Sequence, residues 1–402
     1  FSGSRSVLRG GYGIFYNPLV VNLYGNSRLV PPFVNTVVIP GAAFPNPLAR
    51  PGPRIPSTTG QSIEFNLSQP YAHQWNLQWQ QALPGDWVAK IAYVGNRGLH
   101  IIRSIEGNPA EPVIRPDGRK FFPEGSVRRN PKFGPIRGRT SDGNSWYNSL
   151  QLSIEKHYSE GWTFQGSYTW SKALSTNDSS ITAFPSQSSN TQDPDDIYLD
   201  KALAAFDARH RLVFNFIYQV PSLAVSGAAD RLLGGWTFSG IASFNSGLPF
   251  SVINGFNSSR NLQVTPNPIS DRPDWDPDFT GDIIQGDPAQ WFNPDAFQLA
   301  QPGFYGNVPR NALTGPGFAN LDLSLRKTFA IQEPHQLELR ADLFNLFNHP
   351  NFATPRSPTG AQVSGGVVVF PDATGVAAGS AGQIFNTVSD SRQIQFSLRY
   401  RF

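Results

Sequence analysis

The chain contains no cysteine and no methionine in its 402 residues, and only 15% of it is charged. The first absence excludes disulfides and thiolate metal sites. The second bears on the amino end. Translation begins at Met, yet the chain opens at Phe1 without a cationic-then-apolar leader, so it reads as a fragment or processed product. Fragment is the preferred expectation, because residues 7–16 already resemble the middle of a strand series. Long apolar runs are missing too, and no stretch approaches the roughly 18 residues of a spanning helix. A formal charge of +3 is too small to imply nucleic acid as a partner. There is no G-x-S-x-G elbow, no H-E-x-x-H and no phosphate loop. Gly10-Gly11-Tyr12-Gly13 has the wrong spacing for a dinucleotide fingerprint and suits a bending strand better. Catalysis has no positive support, and no cofactor is expected.

What the chain has in abundance is 30 Phe, 12 Tyr, 9 Trp, 37 Gly and 35 Pro, at a mean hydropathy of −0.31. High aromatic content at low hydropathy is reconciled when apolar residues occupy every second position, as in strands that cross a membrane. The carboxyl end shows this most clearly. Ile394, Phe396, Leu398, Tyr400 and Phe402 alternate with Gln395, Ser397, Arg399 and Arg401, which places the apolar set on one strand face.

Ten such segments follow one another. The first, 5–16, aligns Leu8, Tyr12, Ile14 and Tyr16. The second, 71–82, aligns Tyr71, Trp75, Leu77 and Trp79 against Gln74, Asn76, Gln78 and Gln80. After Pro84-Gly85-Asp86, Trp87, Ala89, Ile91 and Tyr93 stand against Lys90. Segment 146–158 sets Trp146, Leu150, Leu152, Ile154 and Tyr158 against Gln151 and Glu155. Trp162, Phe164, Gly166, Tyr168 and Trp170 then alternate with residues including Gln165. Four further segments carry Leu212–Val220, Trp236–Phe244, Leu321–Phe329 (with Arg326 on the polar side) and Leu337–Leu343 (with Glu338, Arg340 and Asp342). The terminal strand is the tenth.

Connections after even-numbered segments are short and those after odd-numbered ones long. Outer-membrane barrels have this asymmetry, with short periplasmic turns and long external loops. The expected fold is therefore all-β, an antiparallel transmembrane β-barrel in the outer membrane of a Gram-negative-type cell. Tyr71, Trp87, Trp146, Tyr158, Trp162, Trp170 and Trp236 are expected to mark its lipid–water interfaces. Gln74, Gln78, Lys90, Gln151, Glu155, Gln165, Arg326, Glu338, Arg340 and Asp342 are expected to line its lumen.

Two charge runs stand out. Residues 97–145 carry ten cations against five anions, and residues 175–208 carry six Asp against Lys201. They are solvated runs, or they pack on each other over the barrel mouth, or the basic one meets anionic lipopolysaccharide or ligand. Asp274-Trp275-Asp276-Pro277-Asp278 resembles the start of a calcium loop, but Phe279 and Gln285 stand where its Gly and Glu belong. It reads as an acidic external loop. The six histidines have no metal-ligand spacing; His157 alternates with Glu155 on the polar face.

Several runs in combination resemble the β-barrel region of a TonB-dependent outer-membrane transporter, specifically the Oar-like group. They include Leu8-Arg9-Gly10-Gly11-Tyr12-Gly13-Ile14-Phe15-Tyr16, Gln74-Trp75-Asn76-Leu77, Tyr93-Val94-Gly95-Asn96-Arg97-Gly98 and Tyr147-Asn148-Ser149-Leu150-Gln151. Tyr168-Thr169-Trp170-Ser171-Lys172, Phe206-Asp207-Ala208-Arg209-His210-Arg211, Gly315-Pro316-Gly317-Phe318 and residues 338–349 (ELRADLFNLFNH) add to them. The resemblance covers nearly the whole chain. It implies that residues 1–402 are the carboxyl-terminal part, about ten strands, of a roughly 22-stranded barrel. It also implies a plug, a carboxypeptidase-regulatory-like domain and a TonB-contacting segment, none of them in this sequence. The implied function is import of a bulky, unidentified ligand, with loops that capture it. Ile394, Phe396, Leu398, Tyr400 and Phe402 resemble the signal read by the barrel-assembly machinery, and membrane lipid and lipopolysaccharide are expected neighbours. A passive porin or adhesin-like barrel, and a secreted soluble glycan-binding β-protein, are the alternatives.

Overall fold

The computed structural model describes residues 5–19, 60–178, 191–221, 233–263, 271–332, 334–355 and 366–402, with short pieces at 22–25, 28, 34, 37–38 and 55–56. Phe1 lies outside the described residues.

Ten antiparallel strands form one continuous sheet in chain order. They are β1 (Ser6–Tyr16), β2 (Tyr71–Leu83), β3 (Trp87–Glu106), β4 (Ile136–Ser159), β5 (Trp162–Ser175), β6 (His210–Gln219), β7 (Trp236–Asn245), β8 (Phe318–Gln332), β9 (His335–Phe344) and β10 (Gln393–Arg401). Two short strands join off that path. Gly60–Ile63 runs parallel to the start of β4, and Ala202–Leu203 pairs with the end of β5.

Register explains why period two was so legible. One apolar row runs Leu8, Trp79, Ile91, Leu152, Tyr168, Leu212, Phe244 and Ala319 through directly paired positions. Leu323, Leu343 and Ile394 continue the same face across β8–β10. A slip of one residue would turn every such side chain to the polar side. The row stays exposed; Phe396, further along that face, is 81% accessible. Trp75 lies across β3 at Gly95, where a Cβ would come within 2.2 Å of the indole, so only glycine leaves the ring its place.

The tight turns follow their residues. Glu160 and Gly161 both have positive φ (54° and 82°), the signature of a type I′ hairpin, and Gly85-Asp86 repeats it. Among the described residues the sheet remains open: β1 pairs only with β2, and β10 only with β9.

Two expectations change. Strands β3 and β4 run on to Glu106 and back from Ile136, so Arg97, Arg103, Arg137 and Arg139 belong to strands and not to a loop. Register shifts near Gly98, Ile101 and Arg103 had broken the alternation there. The long connections are also not loose. The buried apolar cluster of the molecule lies in them, with Phe250, Val252, Phe292, Val308, Val367 and Phe370 among its members. Pro249–Asn254 is buried along its whole length and pairs in parallel with Gly366–Phe370, uniting the connections 246–317 and 345–392. Fully burying one such side chain contributes about 1.5–3 kcal/mol.

Candidate functional site

The polar face of the sheet carries all ten residues expected to line a lumen, and eight of them fall into two groups. On β3–β5, Lys90 donates to Glu155 at 2.7 Å, and Gln165 stands directly opposite Glu155. Gln151 is across from Ala92 on β3. On β8–β10, Arg326 faces Arg340, which donates to Asp342 at 2.9 Å, and Glu338 lies 3.5 Å from Arg401. Gln74 and Gln78 sit apart from both groups on β2. His157 is exposed on this face near the short turns.

The opposite face carries the seven named aromatics, with Trp146 within β4 and the others near strand ends. Trp87 meets Trp162 edge-on at 5.4 Å, and the Tyr158 hydroxyl donates to Gln219. Trp236 completes this short-turn end, while Tyr71, Trp146 and Trp170 lie toward the long connections. Two lysines interrupt the apolar rows here, unforeseen from alternation alone. Lys156 lies over Trp162 (4.8 Å) and Lys327 over Trp236 (5.9 Å), their stems covered by neighbouring side chains.

Histidines, too, acquire a pattern that only register reveals. Tyr12 and His73, Tyr168 and His210, and Tyr400 and His335 form cross-strand pairs, hydroxyl to Nδ1, at 2.6, 2.7 and 2.7 Å. Each ties adjacent strands on the apolar face.

Above the long-connection end, four connections interlock into a cap. The two charge runs meet: Lys120 donates to Asp193 at 2.6 Å, and Arg129 holds Asp195 with two nitrogens. Arg103, almost fully buried, grips both oxygens of Asp142 at 2.7 Å and reaches Thr191 and Pro194 beyond it. The runs therefore meet at these residues, while others such as Arg115, Asp117, Lys132 and Asp196 stay exposed. Two deeper pairs, Arg272–Asp200 and Arg310–Asp178, join the 246–317 connection to the acidic run. Gln192, fully buried, donates to Gly306 O and accepts from Arg272 N.

The charges respond to this setting. Hydrogen bonds from Arg129 hold the Asp195 carboxyl below its ordinary range, against the opposing effect of burial. Burial pushes Asp142 up, but Arg103 brings it below its usual value. Asp271 goes the other way, raised by burial despite bonds from Ser259 and Ser258. In the acidic segment 274–278, Asp274 accepts from the distant Asn307 N and Asp276 from Asp278 N within its own turn. Among the described residues no three His, Asp or Glu side chains converge to hold a metal ion.

An open depression of about 700 Å³ lies in the cap between the turn 115–119 and the residues Gln301–Phe304. Arg115 stacks on Phe121 and Arg119 on Phe304, each at 4.1 Å, while the two rings meet at 4.9 Å. This arrangement suits binding; nothing in it resembles an activated nucleophile or a paired acid and base.

Comparison with known proteins adds the following. The sequence matches the family described as "Outer membrane beta barrel domain" over residues 1–395. No curated protein matches it. Similar solved structures include the outer membrane transporter YddB from Escherichia coli, at 12% identity and a TM-score of 0.48, covering 99% of this chain and 38% of that one. The ferric-catecholate import receptor Fiu from E. coli K12 is similar at 10% identity and a TM-score of 0.40, covering 99% and 33% respectively. BauA, the ferric preacinetobactin receptor of Acinetobacter baumannii, is similar at 12% identity and 0.37, covering 98% and 34%. The chain thus spans well under half the length of these neighbours.

Proposed function

We infer the function from one premise: the chain belongs to the family of outer membrane beta barrel domains. Its place is the outer membrane, and the soluble glycan-binding reading falls. We propose that residues 1–402 form the carboxyl-terminal part of the barrel of a TonB-dependent transporter of the Oar-like group, importing a bulky ligand. The observation that carries this is the pairing of an open sheet with a preorganised cap. Among the described residues the two edge strands are unpaired, an arrangement hydrocarbon does not tolerate, which supports reading this sheet as part of a larger ring. Four interlocked connections then stand over one mouth of that ring, where a ligand would be captured before passage.

In this reading Gln74, Gln78, Lys90, Gln151, Glu155, Gln165, Arg326, Glu338, Arg340 and Asp342 line the path. Tyr71, Trp87, Trp146, Tyr158, Trp162, Trp170 and Trp236 sit at the two lipid interfaces, and Ile394, Phe396, Leu398, Tyr400 and Phe402 form the signal for the barrel-assembly machinery. TonB acts through a part of the protein outside these residues. The depression at Arg115, Arg119, Phe121 and Phe304 is the candidate first contact for the ligand.

Conductance of the full-length protein in a planar bilayer tests the reading. A plugged transporter passes no steady current until mild denaturant loosens the plug. A large, steady conductance in plain buffer would establish a passive pore instead.

A further inference from the structure

A group of cations on the apolar face of the sheet stands apart from the candidate lumen residues. Arg97 on β3 continues the face of Ile91 and Tyr93, and it pairs directly with Trp146 on β4. Its guanidinium lies 4.0 Å from the centre of that indole. Lys201, from the connection after β5, brings its Nζ to 4.4 Å from the same ring. Lys172, exposed on β5, stands opposite Asn148 and so one step along the same face.

The partners of these cations distinguish them from those of the cap. Arg103, Lys120, Arg129, Arg272 and Arg310 each hold a carboxylate. Among the described residues none of Arg97, Lys172 and Lys201 does, although the acidic connection that supplies Lys201 carries six Asp. Arg97 is held by neutral acceptors only: Gly98 O, Ser145 O and Asn144 Oδ1. Its ionisable neighbours are Tyr198 and Tyr71. These bonds fix the guanidinium flat on the indole without neutralising it. A cation on a membrane-facing surface is costly unless it reaches the head-group layer, where anionic groups neutralise it. Trp146 and Trp170 lie at that level on the same face.

We propose that Arg97, Lys172 and Lys201, arranged around Trp146, bind the phosphate of a lipid head group in the leaflet on the cap side. This rests on the reading of the apolar rows as the membrane-facing surface. The ammonium groups supply charge, the guanidinium supplies paired N–H donors suited to a phosphate oxygen edge, and the indole supplies an apolar floor for the glycerol or sugar backbone.

The test uses full-length protein purified from outer membranes in detergent and its thermal unfolding with added lipid A in mixed micelles. Lipid A should stabilise the wild type, and enzymatically dephosphorylated lipid A should not. Arg97→Gln with Lys201→Gln should lower the apparent affinity for lipid A roughly thirty-fold, about five-fold per cation. Lys132→Gln, which removes an exposed cap cation, should leave it unchanged. Equal stabilisation of wild type and double variant overturns the proposal. Equal stabilisation by inorganic phosphate at the same concentration overturns the lipid as its source. Should the double variant fail to assemble, Lys172→Gln alone, with its expected five-fold loss, decides. Failure of the underlying reading looks different: the protein would then stay dispersed in buffer without detergent.

Discussion

The wall and the cap are built from one chain by opposite rules. In the wall the apolar face is largely exposed, and order comes from backbone pairing between neighbouring strands. In the cap the chain covers itself, with an apolar cluster and an interior of paired charges and amides. Where a solvent of each kind lies on either side of a strand, the sequence must alternate, and it does. Where the chain supplies its own surroundings, no period survives.

The sharpest way to break this contrast is within the cap. Replacing Asp200, fully buried, with Ala strands the Arg272 guanidinium and should cost about 3–5 kcal/mol of cap stability. Fluorescence of Trp275 and Trp291 during denaturation should report early loss of the cap, while heat-dependent gel mobility reports an intact wall. Simultaneous loss of both would mean that the two regions are one cooperative unit.

A second comparison lies inside the wall. Leu152→Arg puts a charge into an apolar row and should cost about 2–4 kcal/mol near mid-membrane. Ser167→Arg, one position off that row on β5, should stay within about 0.5 kcal/mol. Assembly yield in the outer membrane separates them, and similar yields would refute the assignment of faces. Deleting Phe402 should lower insertion of the full-length protein without altering the folding of what does insert, and unchanged insertion would remove the signal role.

The smallest effect concerns the junction of the two charge runs. Lys120→Gln or Arg129→Gln should weaken it by less than about 1 kcal/mol each, and less at high salt. Asp195 has a depressed carboxyl pKa in the folded protein. Its contribution is therefore present above the unfolded value near 4 and disappears as pH falls through the lower folded value. Protease nicking of residues 107–135 should rise over that acid range in wild type and already be raised at pH 7 in Arg129→Gln.

All ten strands were legible because Leu, Trp, Tyr and Phe recur at every second place between polar residues. Strand ends were not: the extension of β3 beyond Gly98 passes through register shifts that scramble the alternation. Lys156 and Lys327 interrupt the apolar alternation, and nothing local in the sequence reveals the tryptophan beside each. The cap was legible only as opposite charge in two runs. Which of Lys120, Arg128 and Arg129 would meet Asp193 or Asp195 depends on chain brought from connections far apart in sequence.

The interlocked cap also bears on mechanics. It ties the tops of strands from β3 to β10 across the opening, as a brace ties the rim of an arch, while the opposite ends are held only by their neighbours through short turns. Curvature is thus set from one rim. Any lateral parting of strands is expected at the other, where Trp87, Trp162 and Trp236 stand.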